Sequence, residues 1–323
     1  MLQFNSRHFL TGEELTAQEL LSLIEWAEIL RKHRGTHDPE TLKGKTLALI
    51  FEKPSLRTRV SFTVGIQELG GQVMELVSSQ KKNEEPEDTI RVLQGMIHGV
   101  MLRTFEHSTL ERMASISRIP IINGLSDSHH PCQALADLLT MYQRFGHLQG
   151  LKLAYVGDGN NVLHSLLLLA PILGVDVHYS CPDGYQPESD ILMRAERRAE
   201  RARGGAIRKF SAPQQAVKGA HAVYTDVWTS MGFEGEKQER LEAFSGFQLN
   251  MELFQQALPT AIAMHCLPMI RGQEITAEVV EHPRSALFQQ AENRLHAQKA
   301  LILGLFQAKA QDVTKGFEYS HVI

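Results

Sequence analysis

Short apolar runs alternate with stretches of helical spacing along almost the whole chain. In the first half, TLALIF (46–51), QVMELV (72–77), GVMLRTF (99–105) and PIING (120–124) have the length of buried strands. Helical spacing begins near Arg57, Glu87 and Thr109, and a longer helix, CQALADLLTMYQRFG, spans 132–146. The second half repeats the rhythm with LKLAYVG (151–157), DVHYSCP (176–182), AVYTDV (222–227) and AIAMHCL (261–267). NVLHSLLLLAPILG and the charged ILMRAERRAERARGG fill the gaps, the latter read as a solvated helix face. A last helix runs from Ala291 to about Lys309. Strand, helix, strand, repeated, predicts an α/β protein with two doubly wound parallel-sheet domains joined by interdomain helices. The division falls near GHLQG, giving 1–146, 147–290 and a closing helical segment, 291–323.

Composition narrows the classes. The chain has 323 residues, 43% hydrophobic and 22% charged, with a formal net charge of -4. That is enough for two cores, and it points away from nucleic acid or a membrane surface. MLQFNSRHFLTGEEL lacks the layout of a signal peptide, and LLLLAPILGV near 170 is too short to span a bilayer. Cys132, Cys181 and Cys266 in a chain of this size suggest a reducing compartment and a cytoplasmic protein. The most linker-like stretch is QKKNEEPED, 80–88.

In open parallel sheets, ligands sit beyond the carboxyl ends of the strands. After TLALIF comes EKPSLRTR, crowded with cations and hydroxyls. A helix starting there aims unpaired N–H groups at the strand end, and Ser55, Thr58, Arg57 and Arg59 add donors suited to phosphate oxygens. No GxxxxGK[ST] string is present, so this anion cradle is not the nucleotide P-loop. Arg103 ends the next strand. His130 and Gln133 stand one helical turn apart at the start of the long helix, placed to hydrogen-bond a carbonyl oxygen that gains charge. His129, His130 and Cys132 lack a second ligand pair for zinc. GDGNN matches two glycines of the dinucleotide fingerprint but has Val162 at the third position; Asn160 and Asn161 offer amides instead. Asp226, Ser230 and Met231 follow one strand, Cys266 and Leu267 another. The first half thus supplies cations, the second a carboxylate, amides, a hydroxyl and a thiol. A phosphorylated electrophile facing an amine or amino acid would use both, by direct transfer.

FEKPSLRTRVSF, LSDSHHPCQALADL, YVGDGNNVLHS, TDVWTSMG, MHCLP and AENRLHAQKA occur in order over nearly the whole chain. Together they resemble the successive signatures of the aspartate/ornithine carbamoyltransferase family, with SMG and HCLP pointing to its ornithine branch. The resemblance implies transfer of a carbamoyl group from carbamoyl phosphate to the side-chain amine of L-ornithine. It implies that Ser55, Leu56 (through its N–H), Arg57 and Thr58 hold the phosphate, and that Arg103, His130 and Gln133 surround the carbamoyl group. Cys266 and Leu267 would lie against the reacting groups, with Arg294 on the carbamoyl oxygen. Asn161, Asp226, Ser230 and Met231 would grip ornithine. The first domain would then bind carbamoyl phosphate, the second ornithine, and 291–323 would pack back on the first. The resemblance further implies a homotrimer, no metal and no organic cofactor.

Four departures from the family pattern stand out. SLRTR replaces STRTR, so Leu56 removes a hydroxyl but keeps an N–H. Thr63 stands where a glutamate is usual, and Met269 and Ile270 precede RG in place of Ala-His. The loop around SSQKKNEEP is shortened, leaving Gln80, Lys81 or Lys82 as substitutes for the usual phosphate contact from a neighbouring subunit. Two other functions are open: transfer to a different amine, and a regulatory paralogue without turnover.

Overall fold

The computed structural model describes residues 4–36, 41–77, 84–229 and 234–307. Contacts divide the chain into two compact units, one running to Asp127 and resuming at Arg294, the other Ser128–Asn293. Ser230, Met231, Gln80, Lys81 and Lys82 lie outside the described residues.

The first unit opens with α1 (Ala17–Lys32), which the strand–helix rhythm did not reveal. Thr16 and Glu19 close a reciprocal capping box at its start, satisfying backbone donors that the helix itself leaves open. Then come β1 (Thr46–Phe51), α2 (Leu56–Glu68), β2 (Gln72–Val77), α3 (Pro86–Leu93), β3 (Gly99–Arg103), α4 (His107–Ile116) and β4 (Ile121–Leu125). All pairings are parallel, in the order β2-β1-β3-β4. The two central strands are buried nearly throughout, which is why TLALIF and GVMLR read as continuous apolar runs rather than alternating ones.

The second unit holds α5 (Pro131–Phe145), β5 (Lys152–Val156), α6 (Asn161–Leu169), β6 (Asp176–Ser180), α7 (Ser189–Ala202), β7 (Ile207–Lys209), α8 (Pro213–Val217) and β8 (Ala222–Thr225). It continues through α9 (Lys237–Ala243), α10 (Met251–Phe254), β9 (Ile262–His265) and α11 (Ala277–Val280). Its sheet is also parallel, ordered β7-β6-β5-β8-β9. Ala154, Val156, Val223, Ala263, Leu253, Phe254 and Val279 belong to a core cluster on this sheet. Helix α5 packs on α6 and belongs to this unit, whereas the sequence boundary near 146 falls after it. The last described helix, α12 (Leu287–Leu305), begins one turn before the expected Ala291.

Each sheet reverses its winding once. In the first the reversal lies between β1 and β3, in the second between β5 and β8. These are the switch points at which strands diverge and a crevice opens beyond their carboxyl ends.

Candidate active site

At the first switch point, α2 begins where β1 ends. Ser55 is its N-cap in extended backbone (φ -158°, ψ 118°), and its Oγ accepts the Thr58 N–H at 3.3 Å. Leu56, Arg57 and Thr58 make the first turn, which contains no carboxylate to compete for an anion. The N–H groups of the first helical turn and the positive end of the dipole therefore converge here. Leu56 is 72% exposed, and what it brings to the turn is its backbone N–H. Thr58 is buried, and its Oγ1 accepts from Arg294 Nη2 at 3.0 Å. Gln298, one turn on from Arg294, backs that guanidinium. With its amide turned so that both ends find complementary partners, its oxygen accepts from Arg294 Nε at 3.1 Å and Nη2 at 3.0 Å, and its nitrogen donates to Ser61 Oγ at 2.6 Å. Gly65 permits the close approach of α12: a Cβ there would meet Lys299 Cγ at 3.1 Å.

The cations of the opening stretch do not share one role. Arg59 pairs with Glu75 at 3.0 Å and lies over the Phe51 ring at 4.7 Å. Lys53 sits 4.3 Å over Phe105. Of the two guanidinium groups assigned to the cradle by composition, only Arg57 belongs to the first turn of α2. Arg103 ends β3 and is buried; its carbonyl accepts the Glu52 N–H at 2.9 Å, locking the ends of β1 and β3 together.

At the second switch point, Asp226 follows β8 directly and is 4% exposed. Asn160 caps α6, accepting Val162 and Leu163 N–H groups at 3.0 and 3.3 Å on its oxygen, while its nitrogen donates to Asp226 Oδ2 at 2.8 Å. Asp226 Oδ1 accepts from Cys266 Sγ at 2.8 Å and from the Val227 N–H at 2.8 Å. Both carboxylate oxygens are thus held by short contacts, and the thiol beyond β9 is tied to the carboxylate beyond β8. Asn161 is the first residue of α6. Asn160, by contrast, gains its role from being both a cap and a clamp on Asp226; its place just ahead of the apolar helix run was the available signal.

Tyr155 and Tyr224 stack at 5.6 Å near this carboxylate, and burial, with Coulombic contributions that include Asp226, pushes both phenols well above 10. His130 caps α5 with its N–H donating to Ser165 Oγ at 2.8 Å, and Pro131 and Gln133 occupy the turn that follows. Leu267 holds φ 58°, unusual for a branched side chain, and precedes the cis bond to Pro268. Met269 packs on the core of this unit, and Ile270 is exposed.

The second glycine of GDGNN serves chain packing. A Cβ on Gly159 would lie 2.3 Å from Gln186 C and Pro187 N, so this backbone abuts the 185–187 segment. Asp158 of the same loop meets Arg240 Nη1 at 2.9 Å; burial pushes its carboxyl up to about 6, against the pull of that guanidinium.

Asp226, His265 and Cys266 bring possible metal-ligand atoms within 4.8 Å of one another. Both His265 nitrogens are engaged, however: Nδ1 accepts the Leu267 N–H at 2.9 Å, and Nε2 meets Glu274 Oε1 at 3.2 Å. A metal would have to break that arrangement, and the trio does not fit one as it stands.

Residues 7–143 match the carbamoyl-P binding domain, and residues 149–305 the Asp/Orn binding domain, of aspartate/ornithine carbamoyltransferase. The chain belongs to the aspartate/ornithine carbamoyltransferase family. Within it, the chain is 49% identical over 302 residues to the ornithine carbamoyltransferase of Symbiobacterium thermophilum, covering 93% of this chain and 96% of the relative. The ornithine carbamoyltransferase structure from Pyrococcus furiosus superposes with a TM-score of 0.88 at 43% identity, covering 92% of this chain and 96% of that one. That from Thermus thermophilus gives 0.85 at 43% identity, with 94% and 99% covered.

Proposed function

We propose that this chain is an ornithine carbamoyltransferase, moving the carbamoyl group of carbamoyl phosphate to the side-chain amine of L-ornithine and releasing L-citrulline and phosphate. One observation carries the reading: at the switch point of each sheet stand the groups one substrate needs. The first offers a helix N-terminus that carries Arg57 and no carboxylate, for a phosphate, the second a clamped carboxylate beside a thiol for an amino acid.

In this reading Ser55, Arg57, Thr58 and the Leu56 N–H hold the phosphate. Arg103, His130, Gln133 and Arg294 bind the carbamoyl group. Asp226, with Asn161, Ser230 and Met231, takes the amino-acid end of ornithine. Residues 1–146 form the carbamoyl-phosphate domain, 147–290 the ornithine domain, and 291–323 the helical segment returning to the first.

The reacting amine must be neutral, and a full carboxylate beside it would hold its proton. Asp226 already spends Oδ1 on the Cys266 thiol and the Val227 N–H, which leaves its charge to the α-ammonium and the thiol nearer the reacting nitrogen. The lone pair attacks the carbonyl carbon, and the carbonyl π electrons move onto oxygen. Arg103, His130 and Arg294 bind that oxyanion more tightly than the ground-state carbonyl, each donor being worth about 3 kcal/mol of barrier. Collapse breaks the bond to the phosphate oxygen. Phosphate leaves with that electron pair and takes up the proton that the new amide must lose. No step calls for a cofactor. A homotrimer in the cytoplasm, serving arginine synthesis, completes the proposal.

Purified protein supplied with carbamoyl phosphate and a panel of amines tests the reading through the carbamoylated product. Citrulline from ornithine supports it. Product from putrescine but not ornithine would replace the substrate, and no product from any amine would favour a paralogue without turnover.

A further inference from the structure

A buried chain of hydrogen bonds supports Gln133 in the second unit. Gln133 Nε2 donates to Asp137 Oδ1 at 2.8 Å, one helical turn along α5. The same oxygen accepts from Gln290 Nε2 at 2.6 Å. Gln290 Nε2 also reaches the Tyr224 hydroxyl at 3.0 Å, and its Oε1 accepts the His265 N–H at 2.9 Å. Gln133 is 1% exposed, and Asp137, Tyr224, His265 and Gln290 are fully buried, so water cannot substitute for any of these partners.

The chemistry of the end groups fixes both amides. A backbone N–H only donates, so Gln290 must show it an oxygen and turn its nitrogen to Asp137. A carboxylate only accepts, so Gln133 must also present nitrogen there, and its carbonyl oxygen is turned away from Asp137. A carbamoyl group is itself two-sided, with NH2 on one flank and C=O on the other. A Gln133 oxygen can accept only from the NH2 flank, which registers the carbonyl toward cationic donors. A flipped amide would set N–H against N–H.

We propose that Asp137, held in turn by Gln290, is the positioning residue that fixes the Gln133 amide with its oxygen toward the carbamoyl NH2, so that the group binds in one orientation. This rests on the reading of Gln133 as a carbamoyl contact. Because Gln290 also holds the His265 N–H, the network ties that orientation to the strand end bearing Cys266.

Steady-state kinetics on Gln133→Ala, Asp137→Leu, Asp137→Asn and the double variant combining Asp137→Asn with Gln290→Met test it, with thermal unfolding alongside. Asp137→Leu removes the acceptor and frees the Gln133 amide to turn. It should lower kcat/KM for carbamoyl phosphate by roughly ten- to a hundredfold, with the ornithine KM within about twofold of wild type. In Asp137→Asn the Gln290 nitrogen, itself fixed by the His265 N–H, still selects oxygen at the shared acceptor position, so Gln133 keeps its partner and the loss should be far smaller. Combining Asp137→Asn with Gln290→Met removes that selection, the asparagine can turn its NH2 to Gln133, and the loss should approach that of Asp137→Leu, a dependence that a packing role would not produce. Wild-type kcat/KM in a folded Asp137→Leu, or an Asp137→Asn equally impaired with and without Gln290, overturns the positioning role. Wild-type kcat/KM in Gln133→Ala overturns the underlying carbamoyl contact instead. If Asp137→Leu fails to fold, the comparison of Asp137→Asn with and without Gln290→Met carries the same test.

Discussion

Arg294 donates to the hydroxyl of Thr58 at 3.0 Å, joining residues 236 positions apart. Sequence distance hides this contact; burial makes it count, since Arg294 and Thr58 are 2% and 1% exposed. The guanidinium of α12 is thereby set against the first turn of α2, in the same unit, with Gln298 behind it.

Disturbing that contact should weaken use of carbamoyl phosphate specifically. Thr58→Val and Arg294→Lys should each lower kcat/KM for carbamoyl phosphate by about tenfold, the scale of one charge-assisted hydrogen bond. The double variant should lose less than the product of the two, because each removes the same bond. Strictly multiplicative losses would mean that the two residues act independently.

Asp226 and Cys266 should separate by kinetic signature. Asp226→Asn weakens the grip on the α-ammonium and should raise the ornithine KM by about tenfold or more. Cys266→Ala leaves the binding residues in place and should lower kcat by about tenfold. Cys266→Ser, whose hydroxyl can still donate to Asp226, should recover part of that loss. Equal kcat in the Ala and Ser variants would show that the 2.8 Å contact to the carboxylate has no part in turnover.

The buried Asp158 predicts a pH effect on stability. Its carboxyl is raised from the ordinary 3.8 to about 6, by burial first, with Arg240 opposing. The native protein therefore binds this proton more tightly than the unfolded chain. The stability it contributes is present below pH 3.8 and is lost as pH rises through about 6. Relative to Asp158→Asn, which cannot ionise, the wild-type Tm should fall across that window. A difference that grows in the opposite direction would mean that pairing with Arg240 outweighs burial.

Lys299 is fully buried on α12, and its Nζ lies 2.7 Å from Glu68 Oε2, a carboxylate also held by Arg34 at 2.8 Å. Glu68→Ala strands the ammonium and should cost about 3 kcal/mol in chemical denaturation. Glu68→Gln, which keeps an acceptor, should cost less. No loss in the Ala variant would show that the ion pair does not hold α12 on α2.

Much of the architecture was legible because parallel sheets buried on both faces write themselves as apolar runs, and β1, β3, β5 and β8 are such strands. Helix α1 was missed although TAQE at 16–19 carries its capping box, because a cap is a four-residue signal beside a strong strand rhythm. Strand β7, only Ile207–Lys209 and mostly exposed, writes no apolar run at all. In the site, residues that open helices after strands (Ser55, Arg57, His130, Asn161) could be read from position alone. What could not be read was division of labour. Arg57 and Arg59 look alike in sequence, and only the fold gives Arg59 to Glu75 and Phe51. Nor does sequence show that Asn160 clamps Asp226, since the partner lies 66 positions away.

The central claim is that the turn opening at Ser55 receives the phosphate of the carbamoyl donor. Direct titration of carbamoyl phosphate into wild-type protein and Arg57→Ala, at equal Tm, measures it. Loss of one charge-assisted fork should weaken binding by roughly ten- to a hundredfold, with turnover falling at least as far. Unchanged affinity in a folded Arg57→Ala protein would place the phosphate elsewhere and contradict the account.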